Sequence, residues 1–409
     1  MHCKKLQRPL FTLSAWLIAA GIGVSTQTRA MDRIREFLSE GSFAINVRPR
    51  YEQVESTNDE TANALTVRTR VGYLTRMWRG VTAFFEAENV ASPFPNGYNQ
   101  SQLNPNGSAK AIVTDPTGTN ISQAWLGYTR GKTSVKVGRQ RLTLDNGRFI
   151  GDYDWRQHLQ TFDAVVIEDN SFNDLSLTYA YIARVNRVFG PRHPQGVYDS
   201  NSHILHASYR GFSAGTLSGY AYLLDFKGSV IGNSCATYGL NFDGSRKFER
   251  IKVGYRAEYA IQSDYGNSPL FYSTDYLSAE VTAGLDSIYA GVGYEKQNSD
   301  NNFAFRTPLA SLHAFNGWAD AFVLTPAQGL SDTYWKAGGR LPWRNIDLEG
   351  SYHSFDSYSG LHLGKELDLQ ASYQINESLG ALVKYASFSS ASNTLPDVKK
   401  IWLQLELKY

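Results

Sequence analysis

The chain has 409 residues, of which 42% are hydrophobic and 13% aromatic, and its formal net charge is only +2. A nucleic-acid-binding protein would carry a clear basic excess, so this balance argues against nucleic acid as a partner. With only two cysteines, Cys3 and Cys235, the chain is not a small disulfide-stabilised scaffold. Frequent Tyr and Gly with few Met suit a β-barrel, although a secreted β-helix or β-propeller shares much of this composition.

The first thirty residues have the pattern of a signal peptide. Basic residues precede an apolar segment, residues 10–24, and Thr28 and Ala30 provide small residues before a cleavage site. An N-terminal membrane anchor is less favoured, because the apolar segment is short for a helical span and no stop-transfer pattern follows. We therefore expect residues 1–30 to be removed and residues 31–409 to form one exported domain.

Alternation of apolar and polar residues is the main structural signal in the rest of the chain. In residues 42–53, Phe43 and Ile45 point to one side and Arg48 and Arg50 to the other, which is typical of a β-strand. The predicted strands, in chain order, are 42–53, 64–77, 81–89, 122–129, 133–140, 161–168, 175–185, 202–209, 216–224, 236–242, 250–262, 274–283, 288–297, 332–341, 346–355, 366–373, 379–388 and 398–409.

The connections between these predicted strands sort by length. The long ones, 90–120, 142–160, 186–201 and 297–331, all join an odd strand to the next even strand. The opposite joins are short, as at 78–80, 130–132, 285–287 and 342–345. Long extracellular loops with short periplasmic turns characterise bacterial outer-membrane barrels, and pairing of the last strand with the first would leave no open edge. The sequence therefore predicts an all-β fold, a transmembrane antiparallel up-and-down barrel of about 18 strands in the outer membrane.

The ionisable residues of the predicted strands share the side opposite the large apolar residues. Charged side chains on the lipid face cost several kcal/mol near the midplane, so we expect them to line the lumen. Regular alternation would instead place Arg139 and Arg141 beside Val137, and we predict a β-bulge or kink at Gly138 that turns both inward. The predicted pore-lining residues are Arg48, Arg50, Arg68, Arg70, Arg139, Arg141, Arg256, Glu86, Glu88 and Glu258.

These arginines allow two interpretations. A basic constriction would select anionic solutes. Alternatively, each arginine is neutralised by an inward carboxylate such as Glu52, Glu86, Glu88 or Asp163. Arginine outnumbers acidic residues on the first two predicted strands, which favours anion selection for the cluster as a whole.

An outer-membrane hydrolase is a third class of function. Ser351, His353 and Asp356 are close in sequence, but proximity is not triad geometry. His203 and His206 fall on opposite sides of one predicted strand and cannot share a site there. The sequence contains no H-E-x-x-H motif or Cys/His cluster, so we predict no catalytic residues, no metal site and no cofactor.

Two long connections carry further predictions. Asp145, Asp152 and Asp154 could bind Ca²⁺ in a loop, although ordinary solvated carboxylates are the simpler interpretation. Long loops in barrels often fold into the pore, and we expect residues 307–325 to pack in the lumen or its mouth with Trp318 buried. The alternative for this segment is an ordered extracellular cap.

Several stretches resemble the alginate-export family of outer-membrane porins, namely Gly138–Gln157, Tyr255–Asp264, Phe305–Trp335 and Ser351–Ser357. The resemblance implies an eighteen-stranded barrel whose basic pore passes an anionic polysaccharide outward, with outer-membrane lipid and periplasmic export proteins as partners. By position, it assigns the basic lining to Arg48, Arg68, Arg70, Arg139, Arg141 and Arg256. Another uronate polymer, small organic acids or aromatics, or the mixed solutes of a general or nutrient-uptake porin stay open as alternatives.

Overall fold

The computed structural model describes residues 39–342, 345–391 and 395–409. The predicted signal peptide, residues 1–30, lies outside the described residues. Within them, no helix is long and apolar enough to cross a membrane. The three short 3₁₀ helices are Pro105–Gly107, Gly228–Asn233 and Leu312–Ala314.

Eighteen of the described strands overlap the predicted strands, with ends that differ by up to six residues, and two short ones, Ser299–Asp300 and Phe303–Ala304, were not predicted. In all, twenty strands are described. They are β1 Ser42–Ser56, β2 Asp59–Leu74, β3 Val81–Ala91, β4 Gly118–Arg130, β5 Thr133–Gln140, β6 Thr161–Asp169, β7 Leu175–Asn186, β8 Val197–Phe212, β9 Gly215–Leu224, β10 Cys235–Phe248, β11 Ile251–Asp264, β12 Ser273–Leu285, β13 Ile288–Gln297, β14 Ser299–Asp300, β15 Phe303–Ala304, β16 Leu330–Leu341, β17 Ile346–Asp356, β18 His362–Gln374, β19 Leu379–Ser390 and β20 Val398–Lys408.

Eighteen of these strands form one antiparallel sheet, and β14 and β15 form a separate small hairpin between β13 and β16. The sheet closes because β20 pairs with β1, with Val47 opposite Leu407 and Tyr51 opposite Leu403. Beyond β20, the backbone of Tyr409 exchanges two hydrogen bonds with Ile45, at 2.8 and 2.9 Å. The predicted eighteen-stranded up-and-down barrel is confirmed.

The long and short connections lie at opposite ends of the barrel, as predicted. Residues 92–117, 141–160 and 298–329 join strands at one end, whereas residues 131–132 and 286–287 are tight turns at the other. Long loops mark the extracellular end of such barrels and short turns the periplasmic end.

The two faces of the wall differ as the alternation requires. Val71 and Leu403 point outward and are 44% and 48% exposed, which in a membrane means contact with lipid. Arg68 and Asp368 point inward and are 1% and 0% exposed. Such low exposure of inward side chains means that other parts of the chain fill the lumen at their level.

The filling comes from the long loops, which turn into the barrel and form two apolar clusters with its inner wall. In one cluster, Phe149 and Phe305 of two loops pack on Tyr220 and Tyr276 of the wall. In the other, Phe322 packs on inward residues of β17 and β19. Burial of apolar loop side chains stabilises this inward arrangement.

The outward face gives a direct test of the fold. Leu403→Arg, in the middle of β20, should lower the stability of the folded barrel in vesicles by about 2–4 kcal/mol, because a guanidinium near the midplane must leave water. Denaturant titration of folding into phosphatidylcholine vesicles measures this change. The matched control is Leu324→Arg, at a side chain 83% exposed in the 298–329 connection, which should change stability little. Equal effects of the two variants would contradict a lipid-facing Leu403.

Candidate functional site

The connection between β5 and β6, residues 141–160, crosses the lumen and is bound by arginines of the wall. Arg48 donates hydrogen bonds to three consecutive carbonyl oxygens, those of Asp154 at 2.9 Å, Trp155 at 3.2 Å and Arg156 at 2.5 Å. Its Nε also donates to the Gln157 side-chain oxygen at 3.0 Å. Arg48 therefore holds a loop backbone instead of facing open water. We call residues 141–160 the crossing loop.

The carboxylate of Asp154 is the centre of this contact. Its Oδ1 accepts hydrogen bonds from Arg68 Nη1 at 3.0 Å and Arg70 Nη1 at 2.8 Å, and Arg141 Nη2 lies 3.3 Å from Oδ2. Partial burial raises the pKa of Asp154, but the charges of Arg70, Arg68 and Arg48 outweigh it and hold this pKa well below the ordinary range. The carboxylate therefore stays ionised, and the charge-assisted hydrogen bonds persist, at any pH near neutrality.

We call the inward arginines of β1 and β2, Arg48, Arg50, Arg68 and Arg70, the arginine wall. A second ionic group extends this wall toward the extracellular side. Arg156 of the crossing loop forms ion pairs with Glu52 at 3.0 Å and Asp320 at 2.9 Å. Arg50 donates twice to the Gln404 side-chain oxygen, at 2.9 and 2.6 Å, and its guanidinium lies 4.1 Å from the ring centroid of Trp155. The loop thus contributes both charge and an aromatic face to the wall.

Residues of the 298–329 connection contact inward side chains of the wall on the other side of the barrel. The Trp318 amide donates to Asp368 at 3.1 Å and the Ala319 amide to Glu366 at 2.6 Å. Lys400 pairs with Asp320 at 2.7 Å. Trp318, which we predicted to be buried, is only partly buried. One face of its ring covers the ammonium of a wall lysine, Lys384, at 3.5 Å.

His313 links this connection to the same lysine. Burial lowers the pKa of His313, and the positive charge of Lys384 lowers it further, so the imidazole is neutral. The contacts assign its tautomer: Nδ1–H donates to Asp320 at 2.8 Å, and Nε2 accepts from Lys384 at 2.9 Å. A neutral imidazole satisfies both neighbours without adding a charge to the lumen.

Arg139 lies apart from these arginines. Gly138 has a positive φ of 121°, but the pairing of β5 with β4 and β6 runs through it without a register shift, so the predicted β-bulge is absent. The side chain of Arg139 points outward, like that of Val137. Its Nε and Nη2 donate hydrogen bonds to the carboxylate of Asp163, directly opposite on β6, at 2.7 and 3.0 Å. This corrects the expectation that Arg139 turns into the lumen. The ion pair lies near the end of its strand, where charge on the outer face costs least.

The remaining predicted residues do face inward, but in two separate places. Glu88 accepts hydrogen bonds from Arg70, and it also contacts His158 at 2.8 Å. Glu86 accepts from the Ser122 hydroxyl at 2.7 Å. On the opposite side of the barrel, Arg256 and Glu258 both face the lumen and form an ion pair, with Arg256 Nη2 2.9 Å from Glu258 Oε2. Several of these contacts therefore fit the second interpretation from the sequence, in which inward carboxylates neutralise single arginines.

The loop carboxylates considered for Ca²⁺ are held by basic side chains. Asp152 pairs with Arg141 at 2.5 Å, and Asp145 lies 3.1 Å from His206. In the described part of the chain, no three or more His, Cys, Asp or Glu side chains are grouped to hold a metal ion.

Ser351 and His353 face inward as expected, but the carboxylate beside them is Asp332. His353 Nδ1 lies 2.9 Å from Asp332 and Nε2 lies 3.1 Å from the Ser351 hydroxyl. The backbone around Ser351 is paired on both sides, with β16 and β18. The backbone N–H groups around Ser351 are therefore used by the sheet and are not available as oxyanion donors. The three side chains form a hydrogen-bonded chain in the lumen wall.

Sequence reasoning missed the loop contributions to the site, above all Arg156 and the role of Asp154 as an arginine ligand. The density of charged and aromatic residues in residues 152–158 was the available signal. Alternation arguments do not apply to connections, and so this signal could not be assigned to the lumen.

The contacts of Asp154 predict how the crossing loop responds to mutation. Asp154→Asn should increase hydrogen–deuterium exchange across residues 148–160, because it removes the charge that Arg68, Arg70 and Arg141 share. Asp152→Asn is the matched control: this carboxylate pairs with Arg141 alone, and the increase should be clearly smaller. An equal response to both substitutions would contradict the central position of Asp154.

Comparison with known proteins agrees with this architecture. Residues 40–273 match the family model described as Alginate export. Of the four stretches with family resemblance, Gly138–Gln157 and Tyr255–Asp264 lie in the matched region, and Phe305–Trp335 and Ser351–Ser357 lie beyond it. No curated protein matches the chain.

Solved structures of outer-membrane channels are similar in fold. Pseudomonas aeruginosa OpdK, solved with vanillate, has a TM-score of 0.68 at 13% identity, over 91% of this chain and 100% of that one. P. aeruginosa OccK9 (OpdG) has a TM-score of 0.71 at 13% identity, with the same two coverages. Acinetobacter baumannii OccAB4 has a TM-score of 0.68 at 12% identity, over 90% of this chain and 98% of that one. Since the family model matches more than half of the sequence, the chain belongs to the alginate-export family and is a channel protein of the outer membrane, not an enzyme.

Proposed function

We propose that the chain is a channel for carboxylated solutes and that the arginines of β1, β2 and the crossing loop are its anion-attracting surface. The observation that carries this proposal is the binding of the Asp154 carboxylate by Arg68, Arg70 and Arg141. Asp154 belongs to a loop and not to the barrel wall. A solute carboxylate presents the same two oxygens and can compete for the same guanidiniums.

Exposure supports a route along this wall. The side chain of Arg141 is 40% exposed and that of Asp154 is 38% exposed, so both meet the water of the lumen. Arg48 and Arg68 lie behind them, buried, and add positive potential at short range. An anion arriving at Arg141 therefore meets several guanidiniums in a partly desolvated site, where electrostatic attraction is stronger than in bulk water.

The packing of the lumen supports small solutes over polymers. Two apolar clusters and the charged network between them occupy the lumen at the level of the arginines. The solved structure of OpdK with vanillate offers a precedent for a small ligand in this fold. A mono- or oligomeric carboxylate requires less displacement of the loops than a polysaccharide does.

Passage of an anionic polysaccharide, outward as in alginate export, is the second candidate. The family match over residues 40–273 favours it. It requires that the crossing loop and the 298–329 connection both leave the lumen, which breaks the contacts of Asp154 and Asp320 together.

Bilayer recording tests the anion-attracting role. The unmodified channel should favour chloride and glucuronate over potassium, and Arg68→Gln with Arg70→Gln should lower the anion-to-cation permeability ratio about twofold or more. The same variant should raise conductance, because it releases the crossing loop. Arg139→Gln, the control, removes one positive charge from the outward row and should leave both values unchanged.

Two results would overturn the proposal. One is cation selectivity of the unmodified channel. The other is an equal loss of selectivity in Arg139→Gln, which would mean that net charge and not the arginine wall sets permeability. Free passage of long polyuronate chains through the unmodified channel would favour the polysaccharide candidate over small solutes.

A further inference from the structure

A polar cavity of about 720 Å³ lies in the lumen away from the arginine wall. Inward side chains of β6 to β11 form its sides, and residues 143–146 of the crossing loop form its extracellular boundary. A neighbouring cavity of about 610 Å³ shares Arg210, Thr216 and Asp243 with it and reaches the turn at residues 213–214. Since that turn is at the periplasmic end, the cavity opens toward the periplasm.

Two arginines provide positive charge in this cavity. Arg256 is only partly buried; its Nη2 donates to Glu258 at 2.9 Å and its Nη1 lies 3.6 Å from Asp243. Its Nε has no hydrogen-bond partner among the described atoms. Arg210 is exposed and lies on the lumen side of β8, in alternation with Ser208. In contrast with the buried arginines of β1 and β2, these two can receive a solute without movement of a loop.

The rest of the lining is rich in hydroxyl and amide groups. Thr178, Ser208, Thr216, Ser218 and Asn241 all point into the cavity from the wall. Glu168 and Asp243 add carboxylates there. Hydroxyl groups of a solute can donate to these oxygens and accept from the amide and the hydroxyls, whereas an apolar ring would leave them without partners.

We infer that this cavity binds a solute that carries a carboxylate together with several hydroxyl groups, as a monomeric sugar acid does. Arg256 and Arg210 bind the carboxylate, and the hydroxyl, amide and acidic side chains bind the sugar hydroxyls. The volume is within the ordinary range of small-molecule sites. This inference rests on the proposed passage of carboxylated solutes and narrows their class.

The position of the cavity connects it to the crossing loop. Asp145, at the cavity boundary, contacts His206 of β8 through both carboxylate oxygens at 3.1 Å. The same loop carries Asp154 on the arginine side of the lumen. A sugar acid in the cavity therefore lies against residues 143–146 of this loop.

Calorimetric binding to the refolded barrel in detergent tests the inference without relying on conductance. The probes are D-glucuronate, glucose and benzoate, and glucuronate should bind most tightly. Arg256→Gln should weaken glucuronate binding at least about tenfold, since charge-assisted hydrogen bonds are the strong ones. Thr216→Val with Ser218→Ala should weaken glucuronate severalfold and leave benzoate unchanged, because it removes hydroxyl partners and no charge.

Arg340→Gln is the matched control. Arg340 is paired with Asp347 near the periplasmic end on the other side of the barrel, and its loss should not change glucuronate binding. Heat-modifiable gel migration establishes that each variant folds. Unchanged glucuronate affinity in Arg256→Gln and in the Thr216/Ser218 variant would overturn the inference, and so would preferential binding of benzoate or of glucose. If glucuronate binds as expected but the channel is cation-selective, the proposed function fails while the cavity assignment stands.

Discussion

The ion pairs that hold the Asp154 carboxylate organise the lumen of this barrel. They fasten a long loop to the wall at the level where β1 and β2 carry four inward arginines. Without a carboxylate between them, buried guanidiniums on neighbouring strands would repel one another and leave donors unsatisfied. The crossing loop solves this problem with the Asp154 carboxylate and four backbone carbonyl groups. The same arrangement makes the arginines a site that recognises carboxylates.

A membrane barrel has to place its charges inside, and this constraint explains why the lumen is so strongly ionic. Basic and acidic side chains occupy inward positions of strands on both sides of the barrel, and the loops that enter it bring more of both. The result is a wall of mixed charge in which the exposed basic groups matter most for a passing solute. Arg141 on one side and Arg210 and Arg256 on the other are such groups, and the buried arginines support them.

Much of the fold could be predicted from the sequence, because period-two alternation is a local property of each strand. It located eighteen strands and assigned Arg68 and Glu258 to the lumen correctly. The path of the loops could not be predicted this way, since nothing local to Arg156 indicates that it meets Glu52 and Asp320. Arg139 shows a different limit. Alternation indicated the correct outward side, and the bulge was proposed because Asp163, the partner of Arg139 on the neighbouring strand, was itself assigned to the lumen.

The central claim is that a solute carboxylate takes the place of the Asp154 carboxylate on Arg68, Arg70 and Arg141. Hydrogen–deuterium exchange across residues 148–160, recorded with increasing glucuronate and in parallel with glucose, tests this most directly. The account predicts faster exchange of this segment with glucuronate and no change with glucose, because only the acid competes for the guanidiniums. Exchange that is unaffected by glucuronate, or that rises equally with both sugars, would contradict it.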